Sequence, residues 1–140
     1  MRERKRNGSK LFLTELMIAI FFFAVVIAIC IQLFSNSYTM SRDSRRLTEA
    51  VNISSNLAEY YYGWDGERDS LTAAFPMGHY EDESFIIEYD DDFNEVASGG
   101  RYYARVDFSR EGRLETAYIS VNKSDAELIY GIKVERIVNE

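Results

Sequence analysis

Between residues 11 and 34 the chain reads LFLTELMIAIFFFAVVIAICIQLF, an apolar run containing a single acid, Glu15. From Leu16 to Ile31 no side chain carries a polar group beyond the thiol of Cys30. As a helix, about 24 residues at roughly 1.5 Å each cover about 36 Å, enough to cross a hydrocarbon core of about 30 Å. Neither Gly nor Pro occurs from Leu11 to Tyr62. The helix is therefore expected to run on past the membrane surface, to a total of roughly 75–80 Å. Beyond Phe34 the pattern becomes one-sided. Met40, Leu47, Ala50, Val51, Ser54, Leu57, Ala58 and Tyr61 recur at helical spacing, with Arg42, Asp43, Arg45, Arg46, Glu49, Asn52 and Asn56 on other faces. That stripe predicts a helix lying on a core. Gly63 is the expected stop, since glycine can take the left-handed conformation at a helix end.

The rest reads as a loop and then strands. Gly63-Trp64-Asp65-Gly66 is loop-like, and a short helix is expected between Glu67 and Phe75, ended by Pro76 and Gly78. Four segments then alternate with period two, headed by Phe85-Ile87-Tyr89, Tyr102-Ala104-Val106-Phe108, Ala117-Ile119-Val121 and Leu128-Tyr130-Ile132-Val134. Their separators, Ser98-Gly99-Gly100, Glu111-Gly112 and Asn122-Lys123-Ser124-Asp125, are turn chemistry. Short connections favour an antiparallel meander. The expected fold class is α+β: a long N-terminal helix, half in the membrane and half amphipathic, packed on an antiparallel sheet of about four strands. Neither layer could bury its apolar side alone. The expected divisions are a basic leader at 1–10, a transmembrane helix at 11–34, an amphipathic helix at 35–62, and a loop and sheet at 63–140.

Charge gives this layout a direction. Arg2, Arg4, Lys5, Arg6 and Lys10 against Glu3 leave the first ten residues at +4, while the chain as a whole carries −7. Basic residues before a single apolar span hold the N-terminus in the cytoplasm, which places the acidic domain outside it, at the cell membrane. An acidic domain has no basic face for phosphates, so nucleic acid is not an expected partner. Cys30 is the one cysteine, so no intrachain disulfide can form. A cleaved secretory signal is the competing reading of the span, with Ser35-Asn36-Ser37 as its small-x-small site. The run is much longer than a signal core of about 7–15 residues. Ile27-Ala28-Ile29-Cys30 is a poor lipoprotein site, because bulky Ile29 precedes the cysteine and apolar residues follow it.

A basic leader, Gly8-Ser9-Lys10, and then Leu11-Phe12-Leu13-Thr14-Glu15-Leu16 heading an apolar helix that runs into a small antiparallel sheet resembles the type IV pilins and pseudopilins. The sequence-specific part of the resemblance is confined to about residues 8–34. It implies a prepilin-type N-terminal segment, cut by a prepilin peptidase after a glycine, methylated at the new N-terminus, and packed through its helix into a filament core with an assembly platform. By that resemblance Glu15 matches the family's glutamate, Leu11 is the new N-terminus and Lys10 precedes the cut. Lys10 is not glycine, however. Cutting after Gly8 instead would start the chain at Ser9, with Glu15 six residues on. The proline found within many pilin helices is also missing. These departures favour a minor subunit of a type IV pilus, type II secretion or competence-type machine over a major one.

Glu15 can be read without the family. An acid at mid-bilayer costs roughly 2–3 kcal/mol. Near the cytoplasmic end, where its side chain can reach headgroups, the cost is lower. It is either an interfacial residue without a task or a charge that seeks a cation on a neighbouring helix, such as a freed N-terminal amine. Asp90, Asp92 and Asn94 alternate oxygen ligands as at the start of a Ca²⁺ loop. Glu95 stands where such a loop needs Gly, and Arg101 where it needs the closing Glu, so a solvated hairpin loop competes with calcium there. His79, the one histidine, has no cysteine outside the span to join it in a zinc site. No catalytic triad, nucleotide loop or paired His ligands are present, so neither an enzyme nor a cofactor is expected. Two functions remain: a structural subunit among other pilin-like subunits, or a signal-anchored extracytoplasmic binding domain that acts alone.

Overall fold

With neither Gly nor Pro from Leu11 to Tyr62 and Gly8 tolerated near its start, the N-terminal part of the chain forms one helix, α1 (Arg2–Gly63). The computed structural model describes residues 2–138, with side chains from residue 8 onward. The side chains of Arg2, Arg4, Lys5 and Arg6 thus lie outside the described residues. The chain divides into two compact units between Asp43 and Ser44.

The first unit is α1 up to Asp43. Every described side chain in it is exposed, including large apolar ones such as Phe21 at 73% and Phe34 at 79%. From Gly8 on, α1 is long and apolar enough to cross a membrane.

The second unit holds the last turns of α1, a short helix α2 (Arg68–Ala74) and six strands. These are β1 (His79–Glu81), β2 (Ser84–Tyr89), β3 (Glu95–Val96), β4 (Tyr102–Glu111), β5 (Leu114–Lys123) and β6 (Leu128–Ile137). All pairings are antiparallel, in the order β1-β2-β4-β5-β6, with β3 also on β2. The α+β class and the antiparallel meander stand, but the expectation of four strands misses two. β1 pairs with β2 from Ser84 to Ile86, and β3 pairs with it at Glu88 and Tyr89. Both are too short for alternation to show in the sequence. The two-residue loop between β4 and β5 is possible because Gly112 takes a φ of 62°.

One sheet face supplies the core. Phe85, Ile87 and Tyr89 of β2 sit opposite Val106, Ala104 and Tyr102 of β4; Ile119 and Val121 of β5 continue the rows. Ala50, Leu57, Ala58 and Tyr61 of α1 share that cluster. The stripe therefore packs on the core, but it is shorter than its sequence pattern. Leu47 is 47% exposed and Met40 is 76% exposed, whereas Ala50 is fully buried and opens the α1 part of the cluster. Small Ala50 and Ser54, both at 0% exposure, are the side chains over which a helix backbone can approach a sheet closely. Leu71 of α2 adds to the same core, and Gly78 is required behind it, since a Cβ there would stand 2.2 Å from the Phe85 ring.

α1 ends at Gly63, where it was expected to stop, but not through a left-handed residue; the positive-φ glycines are Gly66, Gly99 and Gly112. The end of α1 is instead closed by a side chain from β6, described next.

Candidate functional site

Glu15 lies on α1 within the first unit and is exposed. One turn of helix separates it from Leu11 before it and Ala19 after it, so the three share a face. Gly8, Ser9, Lys10 and Leu11 are all helical and exposed, and the Thr14 hydroxyl donates to the Lys10 carbonyl at 2.9 Å. The peptide bonds after Gly8 and after Lys10 therefore lie within a helical turn. On a fully apolar, exposed helix face, the Glu15 carboxylate can accept hydrogen bonds or an ammonium group, but it has no chemistry to perform alone.

Asp90, Asp92 and Asn94 meet in the loop between β2 and β3. There the Asp90 carboxylate serves its own loop, accepting from the backbone N–H of Asp92 and of Asn94, both at 2.9 Å. The Asn94 N–H, above all, holds the Asp90 carboxyl below its ordinary value. Phe93 takes a left-handed φ of 63° and stacks on Tyr102 with ring centroids 4.4 Å apart. Asp91 pairs with Arg101 at 3.0 Å. Among the described residues no group of three or more His, Cys, Asp or Glu is placed to hold a metal ion.

The sequence reading overlooked Arg136. It falls in register with Glu115, on the core face of the sheet, and its Nη2 stands 2.7 Å from the Glu115 carboxylate. Its Nη1 donates to the Tyr61 carbonyl at 3.0 Å and also to the Trp64 carbonyl. The guanidinium lies 4.7 Å from the Tyr61 ring centroid and 5.5 Å from that of Trp64. The Tyr61 carbonyl also accepts the Trp64 N–H at 3.2 Å, and a cation bonded to carbonyls at the negative end of a helix acts as a C-terminal cap. Trp64 is held in turn, its indole N–H donating to the Glu67 carbonyl at 2.9 Å. The available signal was periodicity: Arg136 follows Tyr130, Ile132 and Val134 onto the inward side of its strand.

On the opposite face of the sheet, Arg105 donates to Asp107 at 2.8 Å and to the Ser84 hydroxyl at 2.9 Å, while Ser84 donates to Asp107. Burial raises the Asp107 carboxyl, but these bonds outweigh it and the group lies below its ordinary value. Beside them is a cleft of about 400 Å³ with His79 on its wall. No family model matches the chain, and neither a curated protein nor a solved structure matches it.

Proposed function

We propose that the chain is a membrane-anchored structural subunit, a minor pilin or pseudopilin-like protein of a type IV pilus, type II secretion or competence-type machine. The observation that carries the reading is Glu15: one acid near the start of an exposed apolar helix that is long enough to span a membrane and whose last turns belong to a small α+β domain. In this reading the basic leader stays in the cytoplasm and the domain of residues 44–140 lies outside it. The span packs among the helices of other pilin-like subunits, where Glu15 takes an amine as partner. No catalytic step and no cofactor enters the role; the domain's acidic charge keeps nucleic acid from being its ligand.

Processing is the first test. The intact mass of the protein extracted from membranes reports cleavage and methylation together. Loss of the leader, leaving Leu11 or Ser9 at the N-terminus, supports maturation by a prepilin peptidase. A full-length chain at steady state removes that pathway. A second reading, a signal-anchored binding domain that does not assemble, would then gain ground. It is favoured by the cleft on the uncovered face of the sheet.

A further inference from the structure

The core face of the sheet is longer than its cover. α1 ends at Gly63, and its last core residue, Tyr61, reaches Phe108 of β4 with ring centroids 6.1 Å apart. β4 runs on to Glu111, so Arg110 follows Phe108 on the same face, where its side chain is 55% exposed. Trp64, just past the helix, lies with its ring centroid 5.0 Å from that of Phe108, and both residues are only partly buried. Beyond the helix end this leaves a cleft of about 300 Å³, lined by Tyr61, Trp64, Phe108, Glu83, Arg110 and Glu115.

The polar groups of the cleft divide into those already answered and those still open. Glu115 is held between Arg110 at 3.3 Å and Arg136 at 2.7 Å, its neighbours across three strands. Arg110 commits Nε to the Gly112 carbonyl and Nη1 to Glu115, which leaves Nη2 open. Glu83 is exposed in the turn before β2 and makes no hydrogen bond or ion pair among the described residues. The open groups are thus one carboxylate, which accepts, and one guanidinium edge, which donates. Their charges cancel, so the cleft selects neither a cation nor an anion. Aromatic walls with one acceptor and one donor at the margin fit a neutral ring that is apolar on its face and hydroxylated round its edge. A purely apolar side chain would give Glu83 and Nη2 of Arg110 nothing to bond.

We propose that this cleft binds a neutral pyranose unit of a glycan. The C–H face of the sugar lies against Phe108 and Trp64, and its hydroxyls bond to the Glu83 carboxylate and to Nη2 of Arg110. The inference concerns the domain alone and goes beyond the structural role above; it stands or falls whether or not the chain enters a filament.

The test uses the full chain in phosphocholine micelles, which carry no sugar headgroup, with the ring of Trp64, the one tryptophan, labelled for NMR. The probes are the methyl β-D-glycosides of glucose, galactose and N-acetylglucosamine. Sorbitol serves as a polyol without a ring face, and cyclohexanol as a ring with a single hydroxyl. At least one glycoside is expected to shift the Trp64 resonances saturably, and sorbitol to leave them in place. Glu83→Ala, which removes no hydrogen bond of the fold, should weaken that glycoside about tenfold, a change of about 1.4 kcal/mol. Glu59→Ala, on an exposed position of α1, should leave binding unchanged. Trp64 resonances unmoved by all three glycosides, cyclohexanol binding as tightly as the best of them, or wild-type binding by Glu83→Ala would each overturn the proposal.

Discussion

Arg136, near the end of the last strand, donates a hydrogen bond of 3.0 Å to the main-chain carbonyl of Tyr61, in the last turn of α1. The same guanidinium pairs with Glu115, and the two side chains are only 14% and 18% exposed. One residue thus joins the helix end to two strands, and does so where Gly63 supplies no left-handed cap. Removing it would leave Glu115 with Arg110, at 3.3 Å, and take the guanidinium from the Tyr61 and Trp64 carbonyls. Arg136→Leu should cost about 2 kcal/mol. Arg136→Lys should cost less, since an ammonium keeps the charge but lacks the planar fork that reaches several acceptors. Trp64 is the one tryptophan and lies against Arg136, so its fluorescence reports the melt directly. A melting temperature for Arg136→Leu equal to that of the wild type would remove the cap from the account.

The helix-on-sheet core predicts an asymmetry along one turn of α1. Leu57 is 3% exposed, whereas its neighbour Asn56 is exposed. Leu57→Ala should destabilise the domain by roughly 2–5 kcal/mol. Asn56→Ala should stay within about 0.5 kcal/mol of wild type. Leu47→Ala belongs with Asn56, because Leu47 stands outside the core cluster. Similar denaturation midpoints for Leu57→Ala and Leu47→Ala would contradict the packing described.

Stability should fall on both sides of neutrality, for opposite reasons. The Ser70 hydroxyl, and then the Glu67 N–H, hold the Asp65 carboxyl below its ordinary value; Asp90 and Asp107 are lowered as well. Between those folded values and the unfolded value of about 3.9 the unfolded chain binds more protons, so stability drops as pH falls through that window. Burial pushes the Tyr89 phenol far above its ordinary value, and raises Tyr61 and Tyr80 too. Above about 10 the unfolded chain releases protons that the folded one keeps, so stability drops as pH rises. Melting temperature against pH checks both limbs. Tyr89→Phe should flatten the alkaline limb, and an unchanged limb would assign it elsewhere.

The parts of the fold legible in the sequence are those with enough repeats to set a period. Leu57, Ala58 and Tyr61 announce the buried face of α1, and ten-residue strands such as β4 and β5 announce themselves by alternation. β1 and β3 do not, because three and two residues cannot establish a period. The stripe read too far back, since Met40 and Leu47 satisfy helical spacing without having anything to pack on; periodicity records a face and not its cover. At the candidate site, Glu15 stands out as the one acid in an otherwise apolar run. Arg136 and the Phe108 cleft do not stand out. Both depend on which strands lie side by side, as with Glu115 opposite both Arg136 and Arg110. Spacing along the chain cannot express those pairings.

In the proposed role, Glu15 acts by pairing with another subunit's helix. The rest of the span is apolar enough to insert without it, so insertion and folding should not depend on the acid. In a packed helical core a lone carboxylate would be desolvated, and an amine partner offsets that cost. The direct measurement is crosslinking of Glu15→Leu to partner subunits, read beside membrane fractionation and Trp64 fluorescence. The account predicts a variant that inserts and folds as the wild type does but fails to crosslink. Wild-type crosslinking by Glu15→Leu would contradict it, leaving Glu15 an interfacial residue without a part in assembly.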